Sequence, residues 1–197
     1  MSLAAGLAGR PGGPMAPPPI PRIDARTLLN ALESQSNEAL QLAAVAQYKA
    51  RYCMVGPLMR FRRKVEEFRT AATLLEERLE AMTPDKAAAL QNDFVRLERI
   101  MLMLLIRTCR TVFDTLLKSG ALPLGAREVL HPDLLLLRET RRKLNETEHG
   151  PALGQRVREE LEAAVAALKT IFERVPELPD FDTPDQSAPR TFPPRPR

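Results

Sequence analysis

The chain has 197 residues, 44% apolar and 27% charged, with a net charge of +4. That is room for one domain with a real core, and its mild basicity permits an acidic partner without demanding one. Aromatics are 5% with no Trp, while Leu, Ala, Arg and Glu dominate, a mix that favours helices and argues against an all-β fold.

The first segment, AGRPGGPMAPPPIPR, is too rich in Pro and Gly to fold alone and predicts a disordered tail over residues 1–24. Its short apolar stretch, Leu3 to Ala8, lacks the charged-then-apolar order of a secretory signal. The expected compartment is therefore the cytoplasm, or the nucleus in a cell that has one.

From Arg26 to about Val55 the pattern is helical. Leu29, Leu32, Ser36, Ala39, Ala43, Ala46, Ala50 and Cys53 alternate at spacings of three and four, a narrow, Ala-rich heptad seam that a neighbour can approach closely. Gly56-Pro57 reads as its stop. A second seam follows without a break: Leu58, Phe61, Val65, Phe68, Ala72, Leu75, Leu79 and Met82. The short joint predicts an antiparallel hairpin, with a kinked continuous helix as the alternative.

Thr83-Pro84-Asp85 predicts a fresh helix start, with Thr83 capping free amides, Pro84 in the first turn and Asp85 complementing the dipole. This third helix runs to about Ser119, with Gly120 as its stop. Leu97, Met101, Leu104, Leu105, Val112 and Leu116 fall on one flank, and Val95, Leu102, Ile106, Cys109, Phe113 and Leu117 on the next. Together they span an apolar arc of roughly 200°, about twice the stripe a surface helix needs. Only a strip holding Arg96, Arg107, Arg110 and Asp114 is left for water. Its longest unbroken apolar run, Ile100–Ile106, is too short to span a membrane.

After the loop GALPLG, residues 126–148 form a fourth helical region, one helix or two, with Pro132 starting its main part. Leu130, Leu134, Leu137 and Leu144 mark one face, broadened by Leu135 and Leu136. His149-Gly150-Pro151 stops and restarts the chain. The last helix, about 152–175, carries the seam Leu153, Val157, Leu161, Ala164, Leu168, Ile171 and Val175. Residues 176–197 are again Pro-rich and predict a second disordered tail. The expectation is an all-α fold: an elongated up-down bundle of four to five long antiparallel helices over residues 25–175.

Chemistry-bearing motifs are few. Both histidines sit in Glu-x-x-His, at Glu128–His131 and Glu146–His149. Di-metal bundles place two such motifs on facing helices. Here the histidines are 18 residues apart, largely along one helix, which separates them by roughly 27 Å. Cys53 and Cys109 lie on apolar seams and lack the nearby His of a catalytic thiol. No phosphate-binding glycine loop or hydrolase motif occurs. The tails hold PxxP patterns, read as linkers before peptide ligands. No cofactor and no metal are expected, and the chain is not expected to be an enzyme.

Two basic clusters stand out: Arg60, Arg62, Arg63 and Lys64, and Arg138, Arg141, Arg142 and Lys143. Glu66 and Glu67 lie four residues after Arg62 and Arg63, as on a solvated paired face, and no aromatic is interleaved to stack on bases. The leading expectation is a non-enzymatic interaction protein, an adaptor or subunit of a larger assembly. Its surplus apolar surface, including Met101, Leu102, Leu105 and Ile106, would be covered by a protein partner or a second copy. The alternative is a nucleic-acid or acidic-partner binder using the two Arg clusters. A metal-dependent bundle enzyme comes third.

Overall fold

Charged and small residues punctuate the chain where the helices begin and end. The computed structural model describes residues 24–120, 122, 124–146 and 149–175. Both Pro-rich tails, with their PxxP patterns, lie outside the described residues, as do the side chains of Glu146–His149.

Helix α1 (Ala25–Ala50) starts where Asp24 accepts the Thr27 amide at 2.7 Å. That hydrogen bond holds the Asp24 carboxyl below its usual value. The helix ends at Ala50, earlier than its seam predicts, because a five-residue turn is needed to reverse the chain. Within that turn Cys53 takes a left-handed φ of 55°. Gly56-Pro57 is not the stop of α1 but the start of α2 (Gly56–Glu80), since proline's missing amide costs nothing in a first turn. α1 and α2 pack along their length, so the hairpin is correct and the kinked helix is not.

Helix α3 (Pro84–Ser119) covers 36 residues, about 54 Å of helix. Thr83 precedes it as expected, but its side chain makes no capping bond; its carbonyl accepts from Lys86 and Ala87 instead. Gly120 closes the helix at φ 68°, the left-handed turn glycine favours.

Helix α4 (Ala126–Glu146) is a single helix with Pro132 inside it, which settles the choice between one helix and two. Leu134, Leu136 and Leu137 are buried, but Leu135 faces solvent and does not broaden the face. Helix α5 (His149–Arg174) breaks at Gly154, at φ 76°, and is regular beyond it.

The helices alternate up and down. α1 and α3 therefore run parallel, tied by Gln47 to Thr108 at 3.3 Å and by Cys53 to Ser119 at 3.3 Å. α3 is the hub. It packs mainly on α1 and α5, less on α2, and lightly on α4. Every predicted seam residue of α1 within the helix is buried, and so are those of α2 up to Leu79. Ala39, Ala43, Ala46 and Ala50 are essentially inaccessible, so small side chains here allow α1 to lie close to its neighbours.

The wide arc of α3 fills the middle. Leu105, Ile106, Cys109, Val112, Phe113 and Leu116 are buried, whereas Val95, Leu102, Leu104 and Leu117 are only half-buried. Among the described residues there is no strand and no helix long and apolar enough to cross a membrane.

Phe113 is fully buried in the core. Phe113→Ala is expected to cost about 3–5 kcal/mol in chemical denaturation, against under about 0.5 kcal/mol for Leu135→Ala on the solvent side.

Candidate interaction face

The helices do not cover α3 evenly. Near its C-terminal half, α5 is fixed to it by Arg107–Glu160 at 3.2 Å. α4 comes alongside it where Thr140 and Lys143 border one space with Met101, Leu102 and Leu105. At the middle of α3 one groove is lined by α3 with α1, and toward its N-terminus another is lined by α3 with α2, in each case by nothing else among the described residues.

The groove between α1 and α3 holds about 330 Å³. Its apolar lining includes Leu40, 58% exposed, and Ile100, 41% exposed, beside half-buried Met103 and Leu104. Glu33 borders it on the α1 side, and Arg96 and Arg107 on the α3 side. Single exposed apolar residues are ordinary, but a contiguous group in a concavity marks a contact surface.

Between α2 and α4 the contact is polar. Arg62 of α2 donates to buried Asp133 of α4 at 2.8 Å and to the Val129 carbonyl at 3.1 Å, three residues before Pro132. Arg69 pairs with Glu139 one heptad further along. Burial pushes the Asp133 carboxyl up to about 7, against the opposing pull of Arg62. Its second oxygen has no hydrogen-bond partner. Burial also raises the Cys109 thiol well above its usual value, and the Asp133 charge adds to this. Such a thiol stays protonated and is a poor nucleophile.

Most of the two basic clusters is spent on internal pairing. Arg62 is committed to Asp133, and Arg63 pairs with Glu67 at 3.3 Å. Lys64 lies 2.8 Å from Glu38 and 2.7 Å from Glu67. The Glu38 carboxylate, then that of Glu67, holds its ammonium above the usual value. Arg141 pairs with Glu162 across to α5. Arg60 and Arg138 are exposed and carry no ion pair among the described residues, and Arg142 and Lys143 also have interaction partners.

Of the apolar candidates, Met101, Leu105 and Ile106 are buried against the chain's own helices, and Leu102 is half-buried at the end of α4. His131 stacks on Phe172 with ring centroids 6.4 Å apart. No three metal-ligating side chains are grouped among the described residues.

Sequence reasoning missed Leu40, Ile100 and Asp133. Leu40 and Ile100 fall off the seams, and that displacement was the available signal. Asp133 lies three residues after Leu130 and four before Leu137, on the buried face of α4, so helical spacing alone marked it as a buried acid. No protein family, curated protein or solved structure matches the chain.

An acid whose folded pKa is raised binds its proton more readily when folded. Its stabilising contribution is full below the unfolded value near 3.8 and is lost as pH rises through about 7. Thermal melts are expected to show Tm falling between pH 5 and 8 from this group, with a flatter slope in Asp133→Asn. Arg62→Ala, which leaves the carboxylate buried without its partner, is expected to cost about 3–5 kcal/mol at pH 8.

Proposed function

We propose that this is a non-enzymatic interaction protein, an adaptor or subunit whose partner covers the part of α3 that α4 and α5 leave open. The observation that carries the reading is the α1/α3 groove, where Leu40 and Ile100 expose apolar surface beside Met103 and Leu104. A bundle that had only to fold gains nothing from large apolar side chains at such a site. A partner that buried them would recover about 25 cal/mol for each Å² removed from water. Interfaces of this kind place an apolar centre inside a charged rim, and Glu33, Arg96 and Arg107 supply that rim.

A nucleic-acid or other acidic partner is the weaker reading. The pairing of Arg62, Arg63, Lys64 and Arg141 leaves little uncommitted basic charge, and Arg60 and Arg138 sit on different helices.

Leu40→Asp/Ile100→Asp tests the proposal, because both positions are exposed and stability should change by under about 0.5 kcal/mol each. Light scattering on the full chain and affinity capture from native lysate should show self-association or a retained partner for the wild type. Either should be lost in the double variant. A monomeric wild type that retains no more protein than the variant would contradict the reading.

A further inference from the structure

The groove between α2 and α3 does not stop where α4 does. α4 runs parallel to α2 and is joined to it by Arg62–Asp133 and Arg69–Glu139, residues 71 and 70 apart in the chain. That register brings the end of α4, at Glu146, level with Glu76 of α2. An unfilled space at this point is bordered by Arg69 and Glu76 of α2, Glu98 of α3 and Lys143 of α4. The next space along shares Glu76 and Glu98 and, among the described residues, is lined by α2 and α3 alone. Its apolar floor is half-buried Ala87 and Val95 over buried Leu79 and Phe94, and it holds about 470 Å³. The groove that seats α4 thus continues, unfilled by any described residue, beside residues 87–98 of α3, about 17 Å or three helical turns.

The charge along its α2 edge reverses there. Arg62, Arg69 and Glu76 are successive heptad positions and occupy one side of α2. The two arginines meet acids presented by α4. Past the end of α4 the same edge presents Glu76 and, one turn on, Glu80. Both are exposed and carry no ion pair among the described residues. A helix that continued the line of α4 would therefore need bases where α4 has acids.

We propose that this open stretch of the α2/α3 groove receives a basic amphipathic helix of a partner protein. It would set a short apolar stripe on half-buried Ala87 and Val95 and Lys or Arg side chains against Glu76 and Glu80. This is the helix-in-groove mode of recognition, with charge at the edge selecting the partner. The inference rests on the reading of the chain as an interaction protein, and uses a groove separate from the one that carries that reading.

The test is a fluorescence anisotropy titration of the full chain. The probes are two labelled, helix-stapled peptides of about twelve residues. They share one leucine stripe, and their polar positions are all Lys in one and all Glu in the other. The Lys peptide should bind saturably and more tightly than the Glu peptide, even though the protein's net charge is +4. Glu76→Lys/Glu80→Lys should weaken the Lys peptide about tenfold or more. Glu33→Lys, an exposed change beside the other groove, should alter it less than about twofold. Circular dichroism of each variant confirms that it is folded.

No saturable binding, no preference for the Lys peptide, or equal loss in the two variants would overturn the proposal. A wild-type dimer that Glu76→Lys/Glu80→Lys dissociates without peptide would also overturn it, by making the occupant a second copy. If the peptides fail while partner capture is still lost in Leu40→Asp/Ile100→Asp, only this inference falls.

Discussion

The architecture depends on the width of the apolar arc on α3. One neighbouring helix covers about half of such an arc, so α3 is stable in water only when helices pack on it from several sides. Its four companions do this, with α1 and α5 closest. The other faces follow from that demand. The alanine seam of α1 lets it come close, and the leucine faces of α4 and α5 close the far side. On the side of α3 that faces the α1 groove the covering is thinner, and Ile100 stays exposed beside buried Leu97 and Met101.

Polar contacts set how the second half of the chain docks. α2 and α4 are held by arginine–carboxylate pairs, with Asp133 buried at the seam. Burying that carboxylate is costly, and Arg62 only partly offsets the cost, as its raised pKa records. What the pair fixes is register: Arg62 can meet Asp133 and the Val129 carbonyl together in only one alignment of α4 on α2.

Much of the fold was legible from the sequence because heptad spacing reports the buried face of a helix directly. The seams of α1, α2 and α5 are the buried ones wherever their side chains are described, save the last residues of the first two, Cys53 and Met82, which fall beyond the helix ends and are half-buried, and the start of α3 at Pro84 and its stop at Gly120 fall where Pro and Gly place them. The joint at Gly56-Pro57 misled because proline ends one helix and begins another with the same local chemistry. Leu135 misled because a run of four leucines cannot all face one way.

The candidate face was harder to read. The breadth of the arc pointed to α3, but which part stays open depends on the lengths of α4 and α5 and on their register against it. Periodicity carries no such information. Met101, Leu105 and Ile106 are therefore core, while Leu40 and Ile100, outside every seam, line the open groove. The arginine clusters looked like a surface for anions because their acidic partners, Asp133, Glu38 and Glu162, are distant in sequence.

Whether a partner sits on the open groove of α3 is tested by site-specific photocrosslinking in the native cell, with a photoreactive residue at position 100 in that groove and, separately, at position 135 on the outer side of α4. A discrete crosslinked species is expected from position 100 and none from position 135. No adduct at position 100, or the same adducts from both positions, would contradict a partner in that groove.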